Sequence, residues 1–174
     1  MEIIKTKRFV LRTPKMSDAK DVAKNINNKN VSRNLSSAVS FPYVPKDAKQ
    51  YIGKVLKELK EERPSSFILY IEIEGEVVGS IGAHHIEQGH KAEMGFWLAE
   101  QHWGKGIMPE AVEAFMKHVF KKFKLKRIFA KAYAHNKGSM RVMEKVGMEF
   151  EGIEKKGALK DGKYLDCYVY AKVK

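Results

Sequence analysis

The chain holds a single cysteine, Cys167, so no disulfide can form within it, and a reducing compartment suits it. In its strand-like surroundings Cys167 reads as a small apolar residue. No stretch approaches the roughly 20 apolar residues that cross a bilayer, so no membrane partner is expected. The opening MEIIKTKRFVLRT alternates like a strand and lacks the apolar centre of a secretory leader, which makes a cytoplasmic location the expectation. No repeat, low-complexity tract or linker divides the sequence. Its 174 residues read as one domain, 1–174, long enough for a full core. Acidic residues are in deficit too: 21 Asp plus Glu stand against 33 Lys plus Arg, a net charge of +12. That excess permits an anionic partner. The lysines are scattered and form no arginine-rich block, a pattern that fits a solvated surface and disfavours direct nucleic-acid binding. His84, His85 and His90 lie close in sequence, but no Cys, Asp or Glu at ligand spacing joins them, so no metal is expected.

What is present is a mixed α/β pattern. RFVLRT alternates and reads as a first strand, ended by Pro14. Ser17 is placed to cap a helix carrying Ala19, Val22, Ala23 and Ile26 on one face. The polar segment NKNVSRNLSSAVSFPYVP reads as an irregular loop. Asp47 then caps a helix that buries Tyr51, Ile52, Val55, Leu56 and Leu59. SFILYIEI and EVVGSIGAHHI form a hairpin across Glu74-Gly75, and KAEMGFWLA follows a turn at Gly89. A helix over 109–123 buries Val112, Phe115, Met116, Val119 and Phe123. RIFAKAYA is a further strand. NKGSMRVMEKVGM is a short helix ended by Gly147, and the tail is a hairpin turning near Asp161-Gly162.

The stretch QHWGKGIMPEAV places two glycines around a lysine directly before a helix. Such a turn can aim several backbone N–H groups at one anion, with the positive end of the helix behind them. The familiar phosphate loops do not match. A Walker loop needs longer spacing and a hydroxyl after its lysine, but Gly104-Lys105-Gly106 is followed by Ile107 and Met108. The dinucleotide fingerprint needs a third glycine where Pro109 stands.

This order of elements and these motifs resemble the GCN5-related N-acetyltransferases (GNATs), within them the branch of ribosomal-protein N-terminal and spermidine-type acetyltransferases. TKRFVLRTPKMSDAKDV is similar to that branch's opening strand and helix, and AEMGFWLAEQHWGKGIMPEAV to the family's strand and acetyl-CoA loop. NKGSMRVMEKVGM is similar to its Asn-x-x-Ser helix, and DGKYLDCYVYA completes the match. The resemblance implies a mixed, mostly antiparallel sheet of about seven strands with four helices on its two faces. It implies acetyl-CoA as co-substrate, with no metal. His102, Trp103, Gly104, Lys105, Gly106, Ile107 and Met108 would then hold the pyrophosphate, and backbone near Trp97 and Leu98 would pair with the pantetheine arm. Asn136 would hydrogen-bond that arm or cap its helix, or both.

The reaction so implied is direct attack of a neutral amine on a thioester, in a ternary complex. One proton must leave the amine and another must reach the sulfur. Many family members use a tyrosine for the second task; the matching residue here is Met143, which cannot donate, leaving Ser139. For the base the candidates are Glu93, acting through a water, and His84, since strand alternation sends only one of His84 and His85 toward the site. Tyr43 in the irregular loop, and Tyr164 and Asp166 after the C-terminal turn, are the candidate acceptor contacts. An α-amine titrates at about 7.7–8.0 and a lysine at about 10.4, so an uncertain base leans the acceptor toward a protein N-terminus. A polyamine, amino acid or aminoglycoside is the alternative acceptor; a non-catalytic acetyl-CoA-binding or nucleic-acid-binding module is the alternative class. Homodimers are common in the family.

Overall fold

The computed structural model describes residues 2–174. The chain runs through β1 (Ile3–Lys5), β2 (Val10–Arg12), α1 (Ala19–Ile26), α2 (Lys29–Ser32), α3 (Pro45–Glu58), β3 (Phe67–Ile73), β4 (Glu76–Glu87) and β5 (Lys91–Leu98). It continues with α4 (Ile107–Lys122), β6 (Arg127–Tyr133), α5 (Lys137–Lys145), β7 (Glu149–Lys160) and β8 (Lys163–Val173). The strands form one eight-stranded sheet in the order β1-β2-β3-β4-β5-β6-β8-β7. Every pairing is antiparallel except β5 with β6, which α4 connects.

Strand alternation divides the core between the two faces of the sheet. Phe67, Leu69 and Ile71 of β3 face α4, where Phe67 stacks on Phe115 at 5.9 Å between centroids. Ile68 and Tyr70 point the other way, against Ala19, Val22 and Ile26 of α1 and Ala48, Ile52 and Val55 of α3. Of the residues expected on the buried face of α3, Ile52 and Val55 are buried, Leu56 and Leu59 are half-buried, and Tyr51 is exposed at the edge.

Four details depart from the sequence reading. The first is the N-terminal segment, which folds as two strands, giving eight strands among the described residues. The Thr6 hydroxyl turns the chain, accepting from the Arg8 and Phe9 N–H groups at 3.2 and 3.1 Å. Second, Asp18 rather than Ser17 supplies the cap ahead of α1: its carboxylate accepts the Lys15 N–H at 2.7 Å and both Nη atoms of Arg12 at 2.8 and 2.9 Å. Arg12 also donates to Glu72 at 2.5 Å, and Arg12 and Asp18 are both buried. Deleting one member of such a buried pair costs about 3–5 kcal/mol, because the other is left unpaired.

The third departure lies in the irregular 28–44 segment, which contains the one-turn α2, capped by the Asn28 side chain on the N–H groups of Asn30 and Val31. A single turn is too short to show a period, so the described residues hold five α-helices. Fourth, α4 begins at Ile107, two residues ahead of Pro109, which sits in the first turn where its missing N–H is not needed. Asp47 does cap α3, from its third residue, accepting the Val44 N–H at 3.0 Å. The Glu74-Gly75 and Asp161-Gly162 turns are both left-handed at each residue, as two-residue hairpin turns require.

Candidate active site

The pairing of β5 with β6 runs only from Lys91↔Arg127 to Met94↔Ala130. Beyond that point β5 stays with β4 as far as Leu98, and β6 stays with β8 as far as Tyr133↔Cys167. The two parallel strands therefore part, and a groove of about 1310 Å³ opens between them. Successive peptide groups in a strand point to opposite sides. The Ala99 N–H bonds the Val78 carbonyl at 2.7 Å, and the Trp97 carbonyl lies close over Gly79, so both belong to the β4 side. In the stretch expected to meet a pantetheine arm, the groups that look into the gap are those of Phe96 and Leu98. The Leu98 carbonyl accepts the Trp103 indole N–H at 2.7 Å, which ties the loop ahead of α4 to this edge.

That loop is the glycine turn read from sequence. Gly104 and Gly106 both take positive φ, +73° and +74°, and a Cβ on Gly104 would meet nothing within 4 Å. Side chains are disfavoured there by backbone strain, and the space above the loop is open. Gly106 is the residue ahead of α4, so the free N–H groups of its first turn point at the same space. His102, Trp103, Gly104, Gly106, Ile107 and Met108 line the groove. Lys105 does not; it is exposed, and Arg8 holds its carbonyl at 2.7 Å. The same guanidinium grips Glu110 in the first turn of α4 at 2.9 and 2.6 Å. Gln101 and Glu100, just ahead, are bound by Asn25 and by Asn28 and Asn30. The turn is thus braced from the N-terminal hairpin on one side and from α1 and α2 on the other. Nothing in the local sequence around Arg8 signals this, since its partners lie about a hundred residues on.

Where the strands part, Glu93 of β5 and His84 of β4 are cross-strand neighbours, and both line the groove. The imidazole lies over two glycines: a Cβ on Gly82 would be 3.0 Å from His84 Nε2, and one on Gly95 3.7 Å from it. Burial holds the His84 pKa below its usual 6.5, partly offset by the Glu93 charge, so the ring is neutral at pH 7. Alternation sends His85 to the opposite face, but the strand bulges here and His85 takes φ +50°. Both histidines line the groove as a result.

On the opposite wall Asn136 caps α5, accepting the Ser139 N–H at 3.2 Å and donating to Ser139 Oγ at 2.9 Å. That leaves the Ser139 hydroxyl hydrogen free to point elsewhere. Met143 is fully buried in the core and takes no part. Trp97 and Tyr43 line the groove on the α1 and α3 side. Tyr164 and Asp166 do not line it. Tyr164 is 66 % exposed near the tip of the β7–β8 hairpin, and the Asp166 carboxylate accepts the Lys156 N–H at 2.8 Å and pairs with Lys155. Cys167 is a buried strand residue on the groove floor. Among the described residues no group of three or more His, Cys, Asp or Glu is arranged to hold a metal, and no helix is long and apolar enough to cross a membrane.

An open cradle at a helix start, continuous with a gap between parting parallel strands, fits a long anionic cofactor with a strand-like arm, and known proteins bear on which one. The chain is 30% identical over 168 residues to the uncharacterized N-acetyltransferase YnaD of Bacillus subtilis, covering 97% of this chain and 95% of that one. It is 34% identical over 101 residues to the ribosomal-protein-serine acetyltransferase of Escherichia coli, covering 58% and 56%. The crystal structure of the ribosomal L7/L12 α-N-protein acetyltransferase RimL with coenzyme A shares the fold, with a TM-score of 0.86 at 23% identity over 99% of this chain and 98% of that one. The family model described as the acetyltransferase (GNAT) domain matches residues 8–149. With the parting strands and the braced glycine turn both inside that span, this chain belongs to the GNAT family and is an N-acetyltransferase that uses acetyl-CoA.

Proposed function

We propose that the acceptor is the α-amine of a protein N-terminus, and that His84 and Glu93 prepare it. The observation that carries this reading is the charge of the groove. Glu93 and Glu100 are its only acidic lining residues among those described, and Glu100 is held by Asn28 and Asn30. A polyamine entering beside Glu93 would leave its further ammonium groups without a counter-ion, on a chain of net charge +12. A single α-amine needs no more than the one carboxylate. The Escherichia coli ribosomal-protein acetyltransferase among the relatives supports the same class of acceptor.

The cradle from His102 to Met108 would hold the pyrophosphate, and the edge of β5 at Phe96 and Leu98 the arm. When bound, acetyl-CoA supplies an acetyl group on a thioester that a neutral amine can attack. Neutral His84, with Glu93 beside it, accepts the proton of the arriving ammonium, directly or through a water. An α-amine with pKa about 7.7–8.0 gives that proton up within a unit or so of neutrality, so a base of lowered pKa is strong enough. Ser139, fixed by Asn136, can turn its hydroxyl hydrogen toward the groove, where a departing thiolate would need it. The lone buried cysteine suits work in the reducing cytoplasm.

The test is an acceptor panel read by intact mass: a peptide with a free α-amine and no lysine, the same peptide with a blocked N-terminus and an internal lysine, and spermidine. The expected result is gain of one acetyl group on the first alone. Preferred acetylation of spermidine would refute the reading.

A further inference from the structure

On the α1 and α3 side the groove wall includes Tyr43, Tyr51, Tyr70, Ile68 and Val39. Tyr70 is 1% exposed, and its hydroxyl has no hydrogen-bond partner. A phenol in that state has given up its water and gained nothing, which native structures rarely tolerate. The charged groups that influence it are already committed. Arg12 donates to Asp18, Glu72 and the Thr13 carbonyl, and Asp18 accepts from Arg12 and from the Lys15 N–H. His118 Nε2 is the other buried atom without a hydrogen bond, but it lies 3.5 Å from Glu2 Oε2. Tyr70 has no such neighbour to explain it. Ser80, its cross-strand partner, lines the same wall and adds a second hydroxyl.

We propose that Tyr70 determines acceptor specificity, its hydroxyl hydrogen-bonding a side-chain hydroxyl on the residue that carries the reactive α-amine. The inference rests on the N-terminal acceptor reading above. Around Tyr70 the wall is apolar apart from the hydroxyls of Tyr43, Tyr51 and Ser80. Burial lifts the Tyr43 phenol to about 12 and keeps it protonated. A charged first residue would find no counter-ion there, and an alanine or valine would leave the Tyr70 hydroxyl unsatisfied. Serine and threonine satisfy it and place their remaining carbon against Ile68 and Val39. A site built around a hydroxyl rejects the analogue that lacks one more strongly than an apolar pocket rejects a missing methylene.

The experiment uses peptides identical except at the first residue, Ser against Ala and Thr against Val, with acetyl-CoA and either wild type or Tyr70→Phe. Wild type is expected to favour the hydroxyl member of each pair by roughly tenfold or more in kcat/KM. Tyr70→Phe is expected to bring both ratios close to one. It is also expected not to lower the Tm of the free protein, because it removes an unsatisfied buried group. Equal rates within each pair for wild type would overturn the proposal. So would a lower Tm for Tyr70→Phe, which would mean that the hydroxyl has a structural partner. Acetylation of a small free amine but of none of the four peptides would instead sink the N-terminal reading, and this inference with it.

Discussion

Gly79 ties the stability of the sheet to the opening of the groove. It pairs with Leu98, and a Cβ there would lie 2.5 Å from the Trp97 carbonyl oxygen, 3.1 Å from Ile71 Cδ1 and 3.2 Å from Leu98 Cδ1. A carbon and a carbonyl oxygen rest at roughly 3.3 Å or more, so Gly79→Ala demands a shift of roughly 0.8 Å. The oxygen is backbone and cannot swing aside, so β5 itself has to move. Overpacking of this kind costs about 1–3 kcal/mol, and at this chain length each kcal/mol lowers Tm by about 2–4 °C, giving a fall of roughly 2–12 °C. The displaced segment is the one whose far edge faces the gap and whose Leu98 carbonyl anchors Trp103. Gly79→Ala is therefore expected to shrink the Tm increase that saturating acetyl-CoA gives, as well as lowering Tm itself. Gly82→Ala is the contrast. Its Cβ would sit 2.8 Å from Ile68 Cγ1 and 3.0 Å from His84 Nε2, both side-chain atoms that can turn. It should keep the acetyl-CoA shift and lose turnover, because the imidazole is pushed off its position. Thermal unfolding with and without acetyl-CoA, beside steady-state rates, separates the two. A Gly79→Ala protein with wild-type Tm and wild-type cofactor shift would refute the reasoning.

Two further outcomes are expected. The protonated imidazole cannot accept a proton, and burial lowers the His84 pKa, so kcat/KM should fall on the acid side with a pKa below 6.5. His84→Gln should remove that limb, and an unchanged profile would dismiss His84 as the base. Arg8→Met should raise KM for acetyl-CoA several-fold with kcat and Tm nearly unchanged, since an exposed ion pair contributes at most about 1 kcal/mol to stability. Arg8→Lys, which cannot grip the Lys105 carbonyl and Glu110 together, should restore only part of the affinity; equal KM in all three proteins would count against the brace.

The features legible in the sequence were those whose physics is local. The two hairpin turns, the Asn136 cap with its serine three residues on, and the glycines at 104 and 106 each act within a few residues of themselves. Alternation likewise found the strand in RFVLRT. The same rule misled at His85, because a bulge adds a residue and breaks the period, and it missed α2, which is shorter than one period. Tyr164 and Asp166 drew notice by the family resemblance and their place after a turn, yet neither lines the groove: Tyr164 is exposed near the hairpin tip, and Asp166 is held by Lys155 and Lys156.

By itself the sequence determined the order of most elements, the apolar faces of the longer helices and a glycine turn at a helix start, since side-chain period and backbone freedom are properties of short segments. Tertiary structure alone decided the rest. It parted β5 from β6, set His84 across Gly82 and Gly95, brought Arg8 to Lys105 and left Tyr70 without a partner. Each of these depends on groups distant in sequence meeting in space, or on a buried group failing to meet one, and pairing and burial arise only when the chain closes on itself.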